Sequence, residues 1–407
     1  MKLSEVRALI RLRSIEGDQT GRRLSRCLNI NDLRSLAKRR LPRAVFEFVD
    51  GGADEEITMT ENRAAFQSWR FVPSFLNEVK DVDLEVEVLG RHYGAPLGLS
   101  PTGITRMIHP AGEPAVARAA ASRRLPYALS TTGTTTVEEL AHIGTEDCWF
   151  QTFALRDKGL TRSLVDRAAA SGFRVLEVTV DTAVTGMRER DWRNGLTVPP
   201  NLNLGTIADI GTHVGYWTAM LTGPALRFAS FADLHSGEDI TAAGLAGLFD
   251  PDLTWDGLAE IRSWWHGHML IKGALSVEDA KRALTLGLDG VHLSNHGGRQ
   301  LDRGLPTAAL ISPTRLALGD EATIVVDSGI RHGADIAVAI ALGADLATIG
   351  RPYLYGLAAA GERGVSRALE ILLSQLRRTM QLLGVASINE LRAKGSQLLT
   401  RQVFPEA

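Results

Sequence analysis

The amino-acid sequence predicts an α/β protein, a single (β/α)8 TIM barrel with an N-terminal helical arm and a long loop insertion after strand 4. Three observations predict it. Short apolar, β-rich runs recur along the chain, Ala/Leu/Arg-rich segments of helical spacing separate them, and each run ends on a hydrogen-bonding or charged residue. A length of 407 residues suits such a barrel with insertions better than one sandwich or bundle.

Eight strands are expected at Pro96–Ser100, Tyr127–Ser130, Cys148–Gln151, Val175–Val180, Met269–Lys272, Gly290–Ser294, Thr323–Asp327 and Leu346–Gly350. Several are nearly all apolar, as strands covered on both faces of a parallel sheet must be. Helices are expected at Glu113–Arg123, Lys158–Ala170, Val277–Leu286 and Ala334–Leu342. The alternation implies right-handed crossovers, and eight strands imply closure.

Residues 1–95 read as an N-terminal arm packing on the barrel, with a helix near Asp32–Arg40. Residues 96–385 form the barrel, closed by a long amphipathic helix over Glu362–Leu383, and 386–407 read as a C-terminal tail. One gap breaks the rhythm. From about Asp191 to His268 no strand–helix unit is evident, and the stretch Pro199–Asp250 opens on Pro-Pro and scatters Gly, Thr and aromatic residues. Such an excursion reads as a functional lid or surface-binding loop.

Composition narrows the classes. The chain is 44% hydrophobic and 23% charged, enough for a large core. A net charge of −2 argues against wholesale nucleic-acid binding. Cys27 and Cys148 are too few for a disulfide framework, and Cys148, in the run Cys148-Trp149-Phe150, reads as buried and inert. No apolar stretch follows Arg11, Arg13, Arg22 and Arg23, so no signal peptide is expected. No run of about 18 apolar residues spans a membrane. A cytoplasmic enzyme without a metal site is the expectation.

Active sites of such barrels lie at the C-terminal ends of the strands. Those ends carry Pro101-Thr102-Gly103, Ser130, Gln151, Thr179 with Asp181, Lys272, Ser294-Asn295-His296, Asp327-Ser328-Gly329 and Gly350-Arg351. Gly329 is followed by Arg331 and Gly350 by Arg351, the pattern of a backbone-plus-cation phosphate grip after strands seven and eight. Lys272 reads three ways: a Schiff-base nucleophile, a fixed positive charge, or a structural lysine.

The densest constellation is Ser294-Asn295-His296-Gly297-Gly298-Arg299-Gln300-Leu301-Asp302. His296 can serve as a base near neutral pH, and Arg299 can hold a carboxylate with two hydrogen bonds. Asp181 is a candidate orienter of the imidazole, and Arg188 a second carboxylate clamp. Glu189, Arg190 and Arg193 read as surface salt-bridge partners.

These residues identify a resemblance. Over about residues 30–385 the chain resembles the FMN-dependent 2-hydroxy-acid oxidases and dehydrogenases, which include glycolate oxidase, L-lactate dehydrogenase and L-mandelate dehydrogenase. The nonapeptide Ser294–Asp302 is the most specific match, supported by Asp50-Gly51-Gly52-Ala53, Trp149-Phe150-Gln151, Thr179-Val180-Asp181-Thr182 and Gly350-Arg351-Pro352-Tyr353. The resemblance implies FMN as cofactor, a small L-2-hydroxy acid as substrate and a 2-oxo acid as product. It implies His296 as base, Asp181 as its partner, and Arg188 and Arg299 as carboxylate clamps. Lys272 would stabilise the reduced flavin, and Pro101, Thr102 and Gly103 would face its ring. Ser130, Gln151, Thr179 and Ser294 would bond the ring or ribityl chain. Asp327 would bind the ribityl chain, and Gly329, Arg331, Gly350 and Arg351 the phosphate. A homo-oligomer, a tetramer, is also implied.

The chain departs from that pattern at Phe48 and Phe153, where most similar chains carry substrate-facing tyrosines. Either the enzyme takes a bulkier or more apolar substrate, or it has moved to another substrate class in a biosynthetic pathway, or it has lost activity. Ala183, Met187 and Ser328 are smaller departures. The 200–250 segment resembles a variable lid that in some similar proteins docks on a bilayer. A Schiff-base lyase using Lys272 and a non-catalytic flavin barrel are the competing readings. Oxygen, a quinone or a carrier protein remain open as electron acceptor.

Overall fold

The computed structural model describes residues 18–144, 147–196, 204–231 and 247–401. Eight parallel strands close a barrel: β1 (Leu97–Leu99), β2 (Tyr127–Ser130), β3 (Cys148–Phe153), β4 (Val175–Thr179), β5 (His268–Gly273), β6 (Gly290–Leu293), β7 (Thr323–Val326) and β8 (Leu346–Ile349). Each pairs with its sequence neighbours, and β8 closes onto β1 through Ala347 opposite Leu97. The interior of β2, β4, β6 and β8 is buried at every position, the pattern of strands walled by helices on the outside. All eight expected strands are present, with β3 running two residues further, to Phe153.

The four expected crossover helices occur at Gly112–Ala121, Lys158–Ala170, Val277–Thr285 and Gly333–Ala341. The region expected to lack a unit differs. Trp255–Trp264 is helical, capped by Thr254 and burying Leu258 and Ile261, and it completes the fourth β/α unit. Gly257 inside that turn is what masked the periodicity. Described parts of the excursion are also helical, at Glu189–Arg193, Leu204–Thr212 and Val214–Thr222. Arg11, Arg13 and the Pro199-Pro200 opening lie outside the described residues.

The arm is built of helices Gln19–Leu24, Ile30–Arg40, Arg43–Asp50 and Ile57–Gln67. Ile30–Arg40 opens on a reciprocal capping box between Asn29 and Asp32 and packs against the last long helix, Arg351–Leu383. That stretch is two helices meeting at a break at Ala360–Gly361, where Gly361 takes a φ of 60°: the first starts directly from β8, and the second runs from Glu362 to Leu383 as expected. The segment read as a tail is folded: Ile388–Lys394 is helical and Leu399–Arg401 pairs antiparallel with Trp69–Phe71 of the arm. Cys148 is buried, inside β3.

Candidate active site

Three successive residues after β6 make the sharpest feature at the barrel mouth. His296, Gly297 and Gly298 all take positive φ, at 55°, 67° and 75°. For a histidine that conformation costs about 1–2 kcal/mol, so neighbours must impose it. They do so from the arm. Asn295 and Asn62 exchange side-chain hydrogen bonds, both 2.8 Å and both buried. Asp302 accepts from Thr58 N at 2.8 Å and Ile57 N at 3.3 Å, capping a helix whose own first residues supply no side-chain cap. The glycines are required as well: a Cβ on Gly298 would strike Met59 backbone, and one on Gly297 the Arg351 guanidinium. Half of the nonapeptide therefore anchors the arm, leaving His296 and Arg299 to face inward.

They face a cavity of about 710 Å³ at the C-terminal end of the strands. It is lined by Pro101, Thr102, Gly103, Ser130, Gln151, Thr179, Lys272, Asp327, Gly329, Arg331, Gly350 and Arg351, and also by Phe48, Phe153, Arg188, His296 and Arg299. Of the expected site residues only Asp181 and Ser294 stand one step behind the wall. Asp181 Oδ2 lies 2.9 Å from His296 Nδ1. Its backbone carbonyl accepts from Gln300 Nε2, which also bonds Val184 O, so the motif's glutamine fixes the loop that carries the carboxylate. Ser294 Oγ accepts from Lys272 Nζ at 2.5 Å.

The cavity divides chemically. On one flank Ser130 Oγ donates to Gln151 Oε1 and Gln151 Nε2 donates to Thr179 Oγ1, at 2.8 and 2.9 Å, so three strand ends share one chain of hydrogen bonds. On the far side the first turn of Arg351–Leu383 opens on Gly350 with backbone N–H groups and a positive helix end toward the cavity. Gly329, with a φ of 100°, allows close approach there; a Cβ would collide with Asn62 O. Arg331 borders the same region, its guanidinium pushed down to about 10 by burial. Arg351 differs from a free phosphate clamp. Its guanidinium donates to Val49 O, Gly51 O and Gly297 O, so its available contribution is its backbone N–H and its charge.

Arg188 and Arg299 occupy the mouth beside His296. Arg299 Nη1 donates to Phe48 O at 2.5 Å and Gly51 O at 3.0 Å, and its guanidinium sits 5.0 Å from the centre of the Phe48 ring. Burial, then Arg188 and Arg351, hold it well below the ordinary arginine value. Arg188 Nε is buried with no partner among the described residues. Burial lowers that guanidinium too, while Asp191 raises it. An unpartnered Arg188 Nε beside the Arg299 guanidinium calls for an anion.

Aromatic side chains complete the mouth. Phe153 packs on Phe249 at 4.7 Å between ring centres, and Trp192 and Phe228 border the same space. Asp191 was not singled out from the sequence. It is buried between the two arginines, and burial raises its carboxyl while Arg299 and Arg188 lower it. Its spacing of three from Arg188 along a short helix was the available signal. Arg190, expected at the surface, reaches inward to the buried Asp50 and to Glu56. Arg193 pairs with Glu189 at the surface, as expected.

Comparison with known proteins accounts for this arrangement. Residues 37–398 match the family described as FMN-dependent dehydrogenase. The chain belongs to that family. A Mycobacterium tuberculosis protein, whose name as an L-lactate dehydrogenase is itself provisional, is 43% identical over 401 residues, 98% of this chain and 96% of its own. The (S)-mandelate dehydrogenase of Pseudomonas putida is 36% identical over 364 residues, 89% of this chain and 92% of its own. A crystal structure of the monotopic membrane protein (S)-mandelate dehydrogenase superposes with a TM-score of 0.88 at 34% identity, over 93% of this chain and 100% of that one. This FMN-dependent oxidoreductase thus falls among 2-hydroxy-acid dehydrogenases, and the lyase and non-catalytic readings fall away. The residues present fit FMN: an anion-seeking helix start and Gly329 at one end, the Ser130–Gln151–Thr179 chain at the other, and Gly103, where a Cβ would strike Thr132.

Proposed function

We propose that the enzyme oxidises an L-2-hydroxy acid with an apolar side chain, mandelate-like rather than lactate-sized, to the 2-oxo acid. The observation that carries this reading is the convergence of His296, Arg188 and Arg299 on one cavity, with Asp181 behind the imidazole and aromatic rings around the mouth. FMN, when bound, would supply the acceptor for the α hydrogen with its two electrons. Arg331, Gly329, Gly350 and the N–H of Arg351 would hold its phosphate, Asp327 the ribityl chain, and Thr102, Gly103, Ser130, Gln151, Thr179 and Lys272 its ring system.

The protein's own groups do the rest. Arg188 and Arg299 bind the carboxylate, which fixes the α carbon; such positioning is worth several kcal/mol. With Asp181 accepting from Nδ1, the imidazole presents a bare Nε2 that takes the hydroxyl proton, and the carboxylate then stabilises the imidazolium. Phe48 and Phe153 supply no hydroxyl to the substrate. Phe48 instead offers its ring face to Arg299, and Phe153 extends the apolar wall with Phe249.

The helix Val214–Thr222 carries no charged residue and leaves Val214 and Leu221 exposed, which supports attachment of this edge to a bilayer. No helix among the described residues is long and apolar enough to cross one. Sedimentation with anionic lipid vesicles tests the attachment.

Anaerobic mixing of the yellow holoenzyme with lactate, mandelate and longer 2-hydroxy acids, followed at the flavin absorbance, tests the activity. Rapid bleaching by the aryl acids is expected. Bleaching by none of the panel, or undiminished bleaching by His296→Ala, overturns the assignment. Reoxidation by oxygen, a quinone or a carrier protein then identifies the electron acceptor.

A further inference from the structure

Beneath the cavity, inside the barrel, lies a pair of charged groups that the proposed chemistry does not use. Glu177 of β4 precedes by two positions Thr179, which lines the cavity, and His292 of β6 precedes by two Ser294, which stands just behind its wall, so their side chains enter the barrel one layer deeper. Both are 0% exposed. His292 Nδ1 lies 2.8 Å from Glu177 Oε1, and its Nε2 lies 3.3 Å from Asp327 Oδ2 and 3.2 Å from Thr348 Oγ1. The same Asp327 Oδ2 lies 3.3 Å from Lys272 Nζ, and Oδ1 accepts from Ser328 Oγ at 2.6 Å. Ser100 Oγ donates to Thr348 Oγ1 at 2.8 Å and ends the chain at β1.

Two carboxylates facing one imidazole favour a proton on each of its nitrogens, while the Thr348 hydroxyl, 3.2 Å from Nε2, is the partner a neutral ring would have. Burial would push the His292 imidazole down, but Glu177 opposes this and the net position is above the ordinary value, despite the like charge of Lys272. Asp327 is displaced oppositely: burial would raise its carboxyl, yet Lys272 and His292 hold it well below the usual range. Glu177 Oε2 has no partner among the described residues, so His292 alone offsets that carboxylate. The four charges sum to zero but are ordered: Lys272 and Asp327 line the cavity, while His292 and Glu177 lie behind them.

We propose that His292, backed by Glu177, is a positioning residue for the cofactor pocket: by sharing Asp327 with Lys272 it leaves more of the lysine's positive charge facing the flavin. This rests on the flavin lying over Lys272, as the proposed function has it. Without His292, Asp327 pairs with Lys272 alone, and the cavity becomes less positive. A flavin that gains negative charge on reduction is then harder to reduce.

The test uses the flavin-loaded full chain and reads the reduction midpoint potential by dye equilibration, with thermal stability alongside. His292→Leu is expected to lower the potential by the equivalent of a tenfold weaker preference for the reduced form, about 30 mV for a two-electron couple. It should also lose stability, because Glu177 is left buried and unpaired. The double variant His292→Leu with Glu177→Leu removes both charges and is expected to recover stability while keeping the lowered potential. A potential that returns to wild type with stability, or that never moves, overturns the proposal. Nitrogen-15 shifts of labelled histidine in the wild-type holoenzyme should show the His292 ring still doubly protonated where the exposed histidines have become neutral; a neutral ring at His292 overturns it without any variant. Lys272→Met separates the two readings. If its potential equals wild type, the placing of the flavin fails; if it falls while His292→Leu does not, only the present inference fails.

Discussion

Asp181 Oδ2 stands 2.9 Å from His296 Nδ1, on a loop that Gln300 holds by two backbone carbonyls. The imidazole's orientation and tautomer therefore depend on a residue four positions along its own motif as well as on the carboxylate. Asp181→Asn removes the charge that stabilises the imidazolium but preserves shape. Loss of general-base efficiency is expected to slow flavin reduction about 10²- to 10⁴-fold, with substrate binding nearly unchanged. Stopped-flow reduction against substrate concentration separates the two terms; a slowed rate that saturation with substrate restores would contradict the role.

Arg188 has a buried, unpartnered Nε, whereas Arg299 already spends Nη1 on two carbonyls. Arg188→Met should therefore cost mostly binding. Charge-assisted hydrogen bonds contribute about 1.5–3 kcal/mol, so kcat/KM is expected to fall roughly 10- to 100-fold. Arg299→Met should in addition destabilise the fold, since its guanidinium ties the arm's Phe48 and Gly51 carbonyls to the β6 loop. Melting temperatures of the two variants compare these effects directly.

Much of this arrangement was legible in the sequence because barrel strands are short, apolar and end where the site begins. The eight runs and the polar residue closing each could be read without tertiary knowledge. The Trp255–Trp264 helix could not, because Gly257 interrupts its first turn and its apolar face is narrow. The arm's role was illegible for another reason. Asn62, in Ile57–Gln67, gains its meaning only from Asn295, 233 positions away. Arg351 carries a second task that its place after the last strand did not show: its guanidinium donates to three carbonyls of the arm and the β6 loop. Glu177 and His292 did carry a visible signal, a charged and a titratable residue within otherwise apolar strands, and such residues are buried only with partners.

Phe153 lies at the end of β3 with its ring against Phe249. Phe153→Tyr would place a hydroxyl in that apolar wall, near where a small substrate's polar groups sit. Lactate should gain and an aryl substrate lose, shifting the ratio of their kcat/KM values by about tenfold, the worth of roughly 1.4 kcal/mol. Parallel assays on the two acids check this; an unchanged ratio would show that the mouth does not select by side chain.

Asp50 closes the Arg43–Asp50 helix beneath the mouth, 5% exposed, and accepts from Arg34 Nε and Nη2 at 2.6 and 2.7 Å and from Tyr355 at 2.8 Å. Burial would raise its carboxyl, but Arg34 and Tyr355 more than offset this, and the net position is below the ordinary value. A carboxyl depressed in the folded state contributes stability above its unfolded value of about 3.9, and that contribution is lost as pH falls through the folded value. Asp50→Asn should thus be less stable than wild type at pH 7, by about 1–3 kcal/mol. The lower part of that range applies, because Arg34 is 42% exposed and reaches solvent. The deficit should shrink steadily below about pH 4 as wild type takes up the proton that the variant cannot. Urea unfolding at pH 7 and at successively lower pH measures it. A deficit that stayed constant down to pH 3 would mean that Asp50 serves by shape and hydrogen bonding, and not by the charge it presents to Arg34.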